Sequence, residues 1–133
     1  MRRVFVDTSA LLAVLDRDDA RHAAARGVLE GLRDDVLLTH GYVVAESLAV
    51  ARRRFGVDGV VALIDGLLPI VNLIPVDSVT HAAALTAYRR SLPSSISFVH
   101  QVSLAVIPQA HVDAAFTLDT DFAGAGVALL PTG

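Results

Sequence analysis

Five short apolar runs, at residues 4–6, 36–39, 71–74, 115–118 and 127–130, alternate with stretches of helical spacing, and this alternation constrains the fold more than any other feature. Strands separated by helices cannot close as tight hairpins, so they pair in parallel through right-handed crossovers. The pattern predicts an α/β domain with a short, mostly parallel sheet flanked by helices on both faces. A hydrophobic content of 53% agrees, because a sheet covered on both faces needs continuous rather than alternating apolar strands. The 133 residues suffice for one core, and a single domain over 1–133 is expected.

Helical spacing covers residues 10–15, 22–32, 42–55, 57–68, 78–88 and 97–107. Thr8 or Ser9 is expected to cap the first helix, Gly56 to stop the third and Pro108 to stop the last.

Ligands of parallel sheets bind beyond the carboxyl ends of the strands. Asp7 follows the first strand, and Asp119 and Asp121 follow the fourth, so carboxylates from the two ends of the sequence are expected to share one crevice. Each alone reads as N-cap or turn chemistry. Gathered at one rim they repel one another unless a divalent cation lies between them, and such oxygen ligands suit Mg or Mn. A site of this kind activates water and stabilises the leaving oxygen of a phosphodiester without a protein nucleophile.

Composition narrows the alternatives. The absence of cysteine excludes disulfides, thiol catalysis and iron–sulfur clusters. All eleven basic residues are arginine, which excludes Schiff-base lysines and the Walker A lysine. A net charge of -3 argues against binding nucleic acid by bulk electrostatics, although a local arginine patch still could. No apolar run is long enough to span a bilayer, and the stretch before Asp7 has no room for a signal-peptide core, so a cytoplasmic protein is expected.

Glu46 is one of only two glutamates and lies in Val43-Val44-Ala45-Glu46-Ser47-Leu48, where Tyr42, Val43, Ala49 and Val50 are its helical neighbours. A carboxylate on that apparently core-facing side requires a partner, either a metal or an arginine.

Val4-Phe5-Val6-Asp7-Thr8-Ser9-Ala10-Leu11-Leu12 resembles the opening of PIN-domain ribonucleases, especially VapC-type toxins of bacterial toxin–antitoxin pairs. Val43-Val44-Ala45-Glu46-Ser47-Leu48 is similar to that family's central glutamate helix, residues 97–106 to its third-acid helix, and Phe116-Thr117-Leu118-Asp119-Thr120-Asp121-Phe122 to its closing motif. The resemblance covers nearly the whole chain in order. It implies that Asp7, Glu46, Asp119 and Asp121 contribute to a Mg or Mn site, that Asp7, Glu46, His100 and Asp119 form the catalytic set, and that Thr8 and Ser9 lie beside it. It further implies endonucleolytic RNA cleavage leaving a 5' phosphate and a 3' hydroxyl, a homodimer, and silencing by a cognate antitoxin that also binds promoter DNA.

His100 stands where the family carries an aspartate. Near a helix N-terminus the dipole disfavours imidazolium, so a neutral ring is expected there. A neutral ring removes one negative charge from the site and favours Mn, Ni or Zn over Mg. Two functional readings follow: an RNA-cleaving toxin, and a catalytically weakened or dead binding protein that still engages its antitoxin. A third, a phosphatase built on Asp119-Thr120-Asp121, is disfavoured because that motif normally opens its fold and no lysine is present to steady a phosphoaspartate.

Arg52 and Arg53, with Arg54, are candidate RNA-phosphate ligands, or else charges complementing a helix C-terminus. Arg89 and Arg90 read more simply as helix-end charges. His22, His40, His81 and His111 show no ligand spacing and read as surface or capping residues, and the tyrosines and phenylalanines as dispersed core.

Overall fold

Val4, Phe5 and Val6 are each at most 2% exposed although successive strand residues point to opposite faces, so the first strand is covered on both sides. The computed structural model describes residues 1–132. Along the chain lie β1 (Arg3–Val6), α1 (Thr8–Leu15), α2 (His22–Gly31), β2 (Val36–His40), α3 (Gly41–Ala62), β3 (Asn72–Ile74), α4 (Ser78–Arg90), α5 (Phe98–Gln109), β4 (Ala114–Phe116) and β5 (Ala128–Leu130).

The strands form one parallel sheet in the order β3-β2-β1-β4-β5, with Phe5 in register with Leu38 on one side and Ala115 on the other. From β1 the chain builds outward through β2 to β3, then returns to the far side of β1 for β4 and β5. The reversal leaves a crevice beyond the carboxyl ends of β1 and β4, the place where parallel sheets admit ligands. Phe5, Phe116 and Phe122 are buried beneath it, and burial of each such side chain stabilises the domain by about 1.5–3 kcal/mol.

Three local expectations are corrected. Asp7, rather than Thr8 or Ser9, caps α1, which begins at Thr8. Gly56 bends α3 instead of ending it: its φ of 71° and ψ of -158° interrupt the helix, which then resumes to Ala62, a combination glycine adopts without steric cost. Finally, α5 passes Pro108 to reach Gln109, so the backbone bond that proline cannot make is lost in the last turn without ending the helix.

The fourth strand stops at Phe116, short of the expected 118. Thr117 still donates its backbone N–H to Leu130 O at 3.1 Å, but its hydroxyl turns to Asp7.

Candidate acidic active site

The two oxygens of Asp7 have different surroundings. Oδ2 accepts from Ser9 Oγ at 2.7 Å, from Thr117 Oγ1 at 3.0 Å and from the Ser9 backbone N–H at 3.3 Å. Ser9 Oγ also accepts from the Leu118 N–H at 2.9 Å, so the ends of β1 and β4 are clasped together around one carboxylate oxygen. Oδ1 is buried and has no hydrogen-bond partner, and lies 3.5 Å from His100 Nε2. The N-cap role thus occupies one oxygen of the side chain and leaves the other without a hydrogen bond.

Asp119 divides its oxygens in the same way. It caps the short 3-10 turn Thr120–Phe122, with Oδ1 accepting the Asp121 N–H at 2.9 Å, while Oδ2 lies 3.7 Å from His100 Nε2. Its own N–H donates to Thr117 Oγ1 at 3.0 Å.

His100 sits in the first turn of α5, whose cap Ser97 accepts the His100 N–H at 3.1 Å. The ring packs edge-on against Phe122 with centroids 5.1 Å apart, and Nδ1 lies 2.7 Å from Asp121 Oδ2. Burial disfavours its charge, but Asp7, Asp121 and Asp119 outweigh burial and raise its pKa to about 9. The expectation of a neutral ring is therefore corrected: nearby carboxylates dominate the partial charge of a helix end. Asp7 shifts the other way. Burial alone would raise its pKa, yet His100, Ser9 and Thr117 together lower it.

Glu46 is half-buried on α3 rather than core-facing, and its carboxylate has neither a hydrogen bond nor an arginine partner among the described residues. It lines a cleft of 310 Å³ together with Asp7, Thr8, Ser9, Ser95, Ser97, His100, Asp119 and Asp121. Within this cleft His100, Asp119 and Asp121 offer ligand atoms that all lie within 4.8 Å of one another; Asp7 and Glu46 stand outside that triplet. Thr8 is buried, and its hydroxyl has no hydrogen-bond partner.

A second cleft, of 350 Å³, shares Ser9 and Asp119 with the first and continues along Asp16, Asp19, Arg21, Arg54 and Thr120. Arg52 and Arg53 are exposed and line neither cleft; Arg54 is the member of that arginine run that does. Arg21 is forked onto Asp19, with both contacts at 3.2 Å. Sequence reasoning missed Thr117 and Arg21 as site neighbours, and named Arg54 only as one of three arginines in a run. Thr117 carries no signal of its own, since threonine is ordinary in strands.

The donor set fits a divalent cation. Three carboxylates and an imidazole converge, and Asp7 Oδ1 is a buried oxygen without a hydrogen bond, its polar neighbour being His100 Nε2 at 3.5 Å.

A family profile described as the PIN domain matches residues 4–127. The chain is 30% identical over 126 residues, spanning 92% of this chain and 94% of the relative, to the 23S rRNA-specific endonuclease VapC20 of Mycobacterium tuberculosis. The crystal structure of that sarcin-ricin loop cleaving toxin superposes with a TM-score of 0.83 at 28% identity, covering 94% of this chain and 96% of that one. FitAcB from Neisseria gonorrhoeae shares the fold, with a TM-score of 0.71 at 18% identity and 95% coverage of each chain. So does VapBC2 from Rickettsia felis bound to a promoter DNA fragment, with a TM-score of 0.66 at 12% identity and 96% coverage of each chain.

Proposed function

The chain belongs to the PIN-domain family, and on that premise we propose that it is a metal-dependent endoribonuclease toxin of the VapC type, neutralised by a cognate antitoxin. The observation that carries this reading is the buried Oδ1 of Asp7, which makes no hydrogen bond and lies 3.5 Å from a His100 nitrogen that is itself 3.7 Å from Asp119 Oδ2. Asp7, Asp119 and Asp121 are the metal ligands in this reading, with Glu46 lining the same cleft. Mg or Mn is the cation, and the His100 nitrogen tilts the preference toward Mn. When bound, such an ion lowers the pKa of water and offsets charge on the scissile phosphate.

The residues of the chain orient that chemistry. Ser9 and Thr117 hold Asp7 in one rotamer, and Asp119 is fixed by its own cap bond. In this reading Arg54, which lines the adjoining cleft, holds a phosphate of the RNA. The ribosomal RNA named for the M. tuberculosis relative is the first substrate to test.

Two partners complete the reading: an antitoxin, and a second copy of the chain. Val57, Val61 and Ile64 are 59%, 48% and 47% exposed at helical spacing, a candidate surface for such a partner. Among the described residues no helix is long and apolar enough to cross a membrane.

The binding-only reading is not favoured, because every carboxylate the resemblance pointed to lines the cleft and the relative is an endonuclease. The deciding experiment is RNA cleavage by antitoxin-free protein in Mg and in Mn, with Asp7→Asn as control. Cleavage by the native chain that Asp7→Asn loses supports the assignment. An inert native chain together with an inert His100→Asp variant overturns it.

A further inference from the structure

His40 is fully buried at the end of β2, among residues no catalytic role has yet used. Its Nδ1 accepts from the backbone N–H groups of Tyr42 and Val43 at 3.2 and 3.4 Å, so the ring caps α3. With Nδ1 an acceptor, the ring proton resides on Nε2, which donates to Ser103 Oγ at 2.8 Å. Ser103, itself buried, passes its own proton to Val99 O at 3.1 Å, one residue before His100. Phe5 and Tyr42 hold the ring, each with centroids 5.6 Å away. Burial pushes the pKa of His40 down to about 4, against a small opposing pull from Asp7, so this tautomer persists across the working pH range.

Among the described residues no other side-chain hydrogen bond joins the β2–α3 corner to α5. The helices so joined both line the acidic cleft: Glu46 lies on α3 and His100 on α5. We propose that His40 and Ser103 are positioning residues whose hydrogen bond fixes α3 against α5 and so sets the separation of Glu46 from His100. Phe5 and Tyr42 flank the ring, and Asp7 is the charged group that acts on it, favouring the protonated form less than burial opposes it. A polar pair in this position costs desolvation that an apolar pair would not, and directional bonding is what it supplies in return.

The consequence for catalysis rests on the nuclease reading; the bond itself does not. The test compares full-length Ser103→Ala, His40→Asn and the double variant with the native protein. Asparagine retains a good N-cap for α3 while losing the reach to Ser103. Leu63→Ala, a core truncation away from the cleft, supplies a control of lowered melting temperature. In Mn, each single variant is expected to lose about tenfold in kcat and in Mn affinity by calorimetry, with KM changed less than about twofold. The double variant is expected to be no worse than the weaker single, because both remove one bond. Multiplicative losses in the double variant, or a kcat that simply follows melting temperature through Leu63→Ala, overturn the proposal.

Should the native chain neither cleave RNA nor bind Mn, the nuclease reading fails and the positioning role is judged in the metal-free protein. A slowly exchanging His40 Nε2 proton, lost in Ser103→Ala with shifts of the Glu46 and His100 amide resonances beyond those in Leu63→Ala, supports the tie. Absence of that proton, or unmoved resonances at both residues, overturns it.

Discussion

His100 Nδ1 lies 2.7 Å from Asp121 Oδ2, while its other nitrogen faces Asp7 Oδ1 at 3.5 Å and Asp119 Oδ2 at 3.7 Å. One imidazolium therefore balances a ring of carboxylates when no metal is bound, standing in for part of the charge a divalent cation would bring. A bound cation and the His100 imidazolium compete for the same oxygens, and that competition governs the pH behaviour of the protein.

In the metal-free protein, stability is expected to fall as pH rises from about 6.5 to about 9. The folded pKa of His100 is raised, so its contribution is complete below the unfolded value and lost as pH passes through the folded one. The ceiling on this effect is about 3 kcal/mol, from roughly 1.4 kcal/mol per pKa unit. Asp7 has the opposite sign: its pKa is lowered, so its contribution is present above the ordinary carboxylate range and lost in acid. Urea unfolding in chelator at a series of pH values reads both limbs, and a flat profile between pH 6.5 and 9 contradicts the buried imidazolium.

Metal binding is expected to strengthen over the same interval. A ligating imidazole must lose its proton, so Mn binding near neutrality releases a proton and its affinity rises with pH. Calorimetry in buffers of different ionisation enthalpy measures the release directly; no buffer dependence would remove His100 from the metal shell.

Replacing His100 with aspartate exchanges the internal cation for another carboxylate. His100→Asp is expected to destabilise the metal-free protein by about 3–5 kcal/mol, the range for breaking a buried ion pair, and to recover stability on addition of Mg. Thermal unfolding with and without Mg tests this. A variant as stable as the native chain in chelator would show that repulsion among Asp7, Asp119 and Asp121 is weaker than their geometry implies.

Thr117→Val keeps the shape of the side chain but removes one donor from Asp7 Oδ2 and an acceptor from the Asp119 N–H. A stability loss of about 1.5–3 kcal/mol is expected, the range for a hydrogen bond to a charged group. Cleavage should fall about 10–100-fold, as for other residues that orient metal ligands. Denaturant midpoints and kcat, measured together, separate the two effects.

Arg54→Ala is expected to weaken RNA binding and flatten its salt dependence by about one phosphate contact, whereas Arg52→Ala and Arg53→Ala change neither appreciably. Binding titrations on a catalytically silent Asp7→Asn background at several salt concentrations distinguish the three. Equal effects at all three positions would favour a diffuse patch over a defined subsite.

Sequence periodicity alone determined the parallel α/β architecture, because strand and helix spacing are local properties and apolar runs of three or four residues flanked by helices leave few topologies. The strand-end positions of Asp7 and Asp119 followed from the same reasoning, and Glu46 and Asp121 were marked by residue type and order. What only the tertiary structure decided were properties of atoms rather than of residues. Asp7 spends one oxygen on its cap and leaves the other bare, a division that depends on Thr117 arriving from the far end of the chain. A neutral His100 is the local expectation because a helix end is visible in the sequence, whereas the three carboxylates around the ring are gathered from two strand ends, Asp7 after β1 and Asp119 and Asp121 after β4. The choice of Arg54 over its neighbours, and the bond from His40 to Ser103, likewise depend on how helices face one another after folding, and electrostatic and hydrogen-bond energies change steeply over the ångström distances that only packing sets.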